Sequence, residues 1–118
     1  MEGAGAAFAT ASDMMALHGA LIAVLEAGDY VVAARALFGF CLYVLEEVLT
    51  KFGVEVTFVD GTDLAAWQDA VCDATKVFFF ETVSNHTLEI IDVGAVCEIA
   101  HSVGAILIVD NVVATPFF

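Results

Sequence analysis

Short runs rich in valine, isoleucine and phenylalanine alternate along this sequence with longer stretches whose apolar residues fall at helical spacing. No other property narrows the possible folds as far. Strands separated by helices pair in parallel, and a parallel sheet must be covered on both faces. Ala6 to Ala11 is a short apolar run that predicts a first strand. Ser12 or Asp13 then caps a helix from about Met14 to Ala27, closed by Gly28 where a left-handed residue commonly ends a helix. Tyr30 to Ala34 reads as a buried strand. A second helix runs from about Leu37 to Phe52 and stops at Gly53, with Leu42, Leu45, Val48 and Leu49 as its inward stripe. Glu55 to Val59 alternates apolar and polar residues, as a strand with one less buried face does. Asp63 caps a third helix, Leu64 to Val71, and Lys76 to Phe80 is a central strand. Asp92 caps a fourth helix, Val93 to Val103, ended by Gly104, and Ala105 to Val109 is the fifth strand.

This order predicts one α/β domain over residues 1–118: three layers, α/β/α, with a mainly parallel five-stranded sheet of Rossmann- or flavodoxin-like type. No repeat or linker interrupts it. At 61% the hydrophobic fraction exceeds the ~45–50% of ordinary soluble domains. Disorder is excluded, and the chain needs more cover than it supplies. Three basic against 16 acidic side chains, net −13, exclude nucleic acid and anionic membranes as partners, since displacing phosphate counterions takes basic residues. No uncharged stretch approaches the ~20 residues that span a bilayer. Residues 1–12 carry no positive n-region, and Cys41, Cys72 and Cys97 form no disulfide pattern. Both observations predict a reduced, cytoplasmic protein.

In parallel sheets ligands gather at the carboxyl ends of the strands. Those ends carry Ser12-Asp13, Arg35, Asp60-Gly61, Glu81 and Asp110-Asn111 in turn. Ser12 and Asp13 also open a helix whose N–H groups suit a phosphate. Asp60, Glu81 and Asp110 are of the type that holds a hard divalent cation, although solvated strand-end acids are the commoner case. Cys97 and His101, four apart on one helix, form a second candidate metal pair that is more often a boundary feature. No metal is expected.

Four segments resemble consecutive signatures of one enzyme family. They are Ala9-Thr10-Ala11-Ser12-Asp13-Met14, Ala36-Leu37-Phe38-Gly39, Glu81-Thr82-Val83-Ser84-Asn85-His86-Thr87-Leu88 and Val109-Asp110-Asn111-Val112-Val113-Ala114-Thr115-Pro116. The chain looks like the first part of the large, fold-type I cofactor domain of pyridoxal-phosphate (PLP) enzymes of cysteine and methionine metabolism. Within that family it is most similar to the O-succinylhomoserine sulfhydrylase and cystathionine γ-synthase branch. The resemblance implies that the Ser12-Asp13-Met14 turn holds the cofactor phosphate and that Phe38 stacks on the pyridine ring. It also implies that Asn85 sits near the ring hydroxyl and that Asp110 pairs with the pyridine nitrogen.

The sequence departs from that pattern in informative places. Asp13 stands where the family usually has glycine, and a carboxylate there repels phosphate. His86 replaces the proline expected after Asn85, which predicts a loosened loop. The family's Schiff-base lysine falls beyond Phe118 by resemblance, and Lys51 and Lys76 lie at the wrong end of the sheet to replace it. The expectation is therefore a non-catalytic, engineered or laboratory-selected fragment serving as a folded scaffold, with no bound cofactor. The alternative is a sulfhydrylase- or γ-synthase-type fragment that retains weak binding of PLP or phosphate. By resemblance, the first strand loses its neighbours. Either it slides beside the fifth, giving order 3-2-4-5-1, or two chains exchange or pair edges, so self-association, as a homodimer, is expected.

Overall fold

The computed structural model describes residues 3–114. Helix α1 spans Asp13–Val24, strand β1 Tyr30–Ala34, and helix α2 starts at Gly39–Tyr43. That helix continues through a π-helical stretch, Val44–Val48, into a 3₁₀ turn, Leu49–Phe52. Strand β2 (Glu55–Val59), helix α3 (Leu64–Asp69), strand β3 (Thr75–Glu81), helix α4 (Val93–Ser102) and strand β4 (Ile106–Asp110) follow. All strand pairs are parallel, in the order β2-β1-β3-β4. The alternation read from the sequence is thus present, with four strands instead of five.

The missing strand is the first one. Residues 6–11 form no strand and are exposed throughout, with Phe8 91% accessible. The slide to the other edge does not occur within the described chain: the segment does not pair with β4, and the remaining strands keep their order. A strand is stabilised by its neighbour far more than by its own preference, and alanine, four of these six residues, has little β preference. Helix ends follow local chemistry more closely. Ser12 Oγ accepts from Met15 N (3.2 Å), Asp63 Oδ1 from Ala65 N (2.9 Å) and Asp92 Oδ1 from Ala95 N (3.0 Å). Gly53 and Gly104 take the left-handed backbone that ends their helices. Gly28 is left-handed too, but α1 ends earlier, at Leu25, so that glycine shapes the turn into β1 instead.

The core lies on both faces of β3, whose Val77, Phe78, Phe79 and Phe80 are fully buried. Alternation sends Phe78 and Phe80 to one side, where Trp67 of α3 stacks on Phe78 (centroids 5.6 Å) and meets Phe80 edge-on (5.9 Å). The Trp67 indole N–H donates to the carbonyl of Gly61 (3.0 Å). A side chain at Gly61 would meet Ile91 Cδ1 at 2.5 Å and Ala34 Cβ at 3.1 Å, so glycine lets the loop after β2 lie flat on β1. Phe79 faces the opposite side, toward Leu17 of α1. No helix among the described residues is long and apolar enough to cross a membrane.

Candidate functional site

From β1 the chain crosses to β2 on one side, whereas from β3 it crosses to β4 on the other. The carboxyl ends of β1 and β3 therefore bound a crevice at the point where the winding reverses, the usual ligand position in open α/β sheets. Phe38 enters this crevice after β1, Glu81 ends β3, and Asp110 ends β4 in register beside Glu81.

Glu81 is the hub. Its side chain is 4% exposed. Oε1 accepts the backbone N–H of Phe38 at 2.6 Å, and Oε2 accepts that of Asn85 at 2.8 Å. Cys41 Sγ and a carboxylate oxygen of Asp110 lie with Glu81 in one group whose atoms are all within 4.8 Å of one another. Burial, then the charges of Glu81, Asp110 and Asp13, push the Cys41 thiol up to about 12. Asp110 Oδ1 accepts from Val112 N (3.0 Å), which fixes its carboxylate. Next to it, Thr82 Oγ1 donates to Asn111 Oδ1 (2.8 Å).

Asp13 and Asp110 line a single pocket of about 300 Å³ with Leu17, Phe79 and Asn111. Desolvation, then the Asp110 charge, raises the Asp13 carboxyl above the usual carboxylate range. Ser12 caps α1 with its own hydroxyl, leaving Asp13 and Met14 as the first-turn N–H groups that helix geometry provides to an anion.

The six residues singled out from the sequence, Ser12, Asp13, Met14, Phe38, Asn85 and Asp110, thus lie at one sheet edge. Thr115-Pro116, the end of the fourth signature, lie outside the described residues. The loop bearing Asn85 is closed by Ser84 N to Glu89 O (2.9 Å) and by a Val83–Ile90 bridge, and Glu81 pins its start. Proline is therefore not what holds Asn85 in place. His86 instead stacks on Phe38 (centroids 6.0 Å) beside Phe40, walling an apolar hollow of about 360 Å³.

Among the described residues Asp60 does not join Glu81 and Asp110. Its carboxylate binds the Thr62 hydroxyl and N–H, which hold it below the usual range. Cys97 and His101 do approach (Sγ to Nδ1 3.6 Å), as their spacing predicts, without a third ligand in a described cluster. Cys41 and the bridging role of Glu81 escaped the sequence reading. The cysteine sits within an apolar helix stretch, and only folding brings it to the strand ends. Lys76 opens the amino end of β3, and Lys51 precedes the turn into β2, so both lie across the sheet from Asp110.

Residues 1–118 match the family model described as Cys/Met metabolism PLP-dependent enzyme. O-succinylhomoserine sulfhydrylase of Mycobacterium tuberculosis is 52% identical over 116 residues, 98% of this chain and 29% of that protein. L-methionine gamma-lyase of Fusobacterium nucleatum is 41% identical over 118 residues, 99% of this chain and 30% of the relative. Among solved structures, O-acetylhomoserine sulfhydrylase of Wolinella succinogenes superposes with a TM-score of 0.80 at 39% identity, over 83% of this chain and 29% of the other. The chain thus spans under a third of the length of these relatives.

Proposed function

The chain belongs to the Cys/Met metabolism PLP-dependent enzyme family, and from that premise we propose that its crevice is the cofactor-holding part of a sulfhydrylase- or γ-synthase-type transferase or lyase. One observation carries this reading. An anionic group for a pyridinium (Asp110), an aromatic face (Phe38), an amide side chain (Asn85) and a helix N-terminus (α1) converge at the winding reversal. The 52% identity to a sulfhydrylase supports cofactor binding better than it supports an inert, engineered scaffold.

The donor set fits the cofactor unevenly. Asp110 would hold the protonated ring nitrogen, and Phe38 would pack against the ring. Asn85 would meet the ring hydroxyl, and the N–H groups of Asp13 and Met14 would bind the phosphate. The Asp13 carboxylate opposes that last contact, so binding by these 118 residues is weak. When bound, pyridoxal phosphate supplies an electron sink for negative charge developing beside an amine nitrogen. Lys51 and Lys76 stand across the sheet, so neither is placed to bond covalently to a cofactor held at Asp110. Three free cysteines accord with a reducing, cytoplasmic setting.

Titration with pyridoxal phosphate, followed by absorbance, tests this. Saturable binding is expected, without an adduct at Lys51 or Lys76 after borohydride reduction. Asp110→Asn should weaken binding and Asp13→Asn should strengthen it, each by about tenfold, as befits one charge near an ionic ligand. Equal binding by Asp110→Asn and the parent chain would remove the assignment.

The same reading includes a homodimer. Phe8, Met15, Ile22, Phe40 and Tyr43 are large apolar residues left exposed, and the outer edge of β4 pairs with no described strand. Light scattering should return twice the 12.4 kDa chain mass, and a monomer at all concentrations would count against it.

A further inference from the structure

Glu81 entered as a candidate metal ligand, but its bonds point elsewhere. Both oxygens are taken by backbone N–H groups from two separate segments, Phe38 ahead of α2 and Asn85 in the loop after β3. These two residues are 47 apart in sequence, and each leads into a different element. We propose that Glu81 is the positioning residue of the site: its buried carboxylate sets Phe38 and Asn85 relative to each other across the crevice. The inference rests on the reading of those two residues as cofactor contacts.

The chemistry favours a carboxylate for this task. A carboxylate is an acceptor at both oxygens, so it can tie two donors at once without presenting a hydrogen to either. Bonds from N–H to a charged acceptor are also short and strong, as the 2.6 and 2.8 Å separations are. β3 is the most buried strand of the sheet, so the carboxylate stands on the least yielding element available. The loop after β3 is closed at its base by Ser84 N to Glu89 O and the Val83–Ile90 bridge, but neither contact joins it to the segment ahead of α2. Phe38 lies outside the regular helix, with no side chain capping α2, and the Asn85 loop contains Leu88 in left-handed backbone.

Glu81→Gln is nearly isosteric but replaces one acceptor by an NH₂ donor, so one of the two N–H groups must lose its partner. Backbone amide NMR of the 118-residue chain reads this directly. The Phe38 and Asn85 amide resonances should lie downfield in the parent chain, and at least one should move upfield and exchange faster in Glu81→Gln. Pyridoxal phosphate affinity should fall about tenfold or more, the usual consequence of an unpaired buried donor. Thr75→Val serves as the control for simple destabilisation. Thr75 is buried at the other end of β3, where its Oγ accepts from Cys72 N (2.9 Å). Its loss should lower stability while leaving affinity and both amides unchanged.

Unmoved Phe38 and Asn85 amides in Glu81→Gln, or an equal affinity loss in Thr75→Val, would overturn the proposal. A parent chain that takes up no pyridoxal phosphate would refute the cofactor reading instead. The tie between the two segments would then be decided by the amides alone.

Discussion

Trp67→Ala should cost about 3–5 kcal/mol of folding stability, the usual range for emptying a buried aromatic site. Domains of this kind have only about 5–15 kcal/mol in total, so a large share is lost at one position. The indole is fully buried, stacks on Phe78, meets Phe80 edge-on and donates to Gly61 O. Removing it leaves a cavity over two phenylalanines of the central strand. It also leaves the carbonyl of the β2–α3 loop without that donor. A urea titration followed by far-UV circular dichroism measures the loss. Trp67→Phe keeps a ring over Phe78 and surrenders only the N–H bond, so its cost should be nearer 1–2 kcal/mol. Similar midpoints for Trp67→Ala and the parent chain would show that α3 does not anchor this face of the sheet.

Alkali should act through Cys41. The native thiol is pushed from 9.0 up to about 12 by burial and by the neighbouring carboxylates, whereas the unfolded chain frees it from both. Between those values the native state keeps a proton that the unfolded state has released. Stability therefore falls as pH rises through this window, by about 1.4 kcal/mol per pH unit at full effect, and it is unaffected below pH 9. Unfolding midpoints measured from pH 7 to 11 should show this slope in the parent chain, and Cys41→Ala should flatten it. Iodoacetamide at pH 8 should label Cys72 and Cys97 in the native protein but not Cys41, since only the thiolate is reactive. Rapid labelling of all three would mean the thiol is neither buried nor raised.

The sequence told most where structure is local. Ser12, Asp63 and Asp92 cap their helices because an N-cap needs only the next three residues, and Gly53 and Gly104 end theirs for a similar reason. The four sheet strands were legible because β-branched and aromatic runs bounded by turn residues have few other outcomes. Ala6 to Ala11 misled because apolar character was taken for strand formation, while pairing, which depends on a partner, was absent. The π-helical turn at Val44–Val48 left no sign in the apolar stripe around it. Within the site, Asp110 and Glu81 could be placed by counting to the strand ends. The partners of Glu81 could not, since they are backbone groups from distant segments and carry no side-chain signature.

Phe78, Phe79 and Phe80 are interchangeable to a hydrophobic core, so β3 contains almost nothing that distinguishes its two sides. A nascent chain could seat this strand back to front with little immediate penalty. Glu81 breaks that ambiguity. Inverted, its charge would face the Trp67 layer with neither the Phe38 nor the Asn85 N–H to receive it, a heavy cost for a buried carboxylate. The carboxylate that ties Phe38 to Asn85 is therefore also the side chain of β3 that most penalises a reversed seating of the strand.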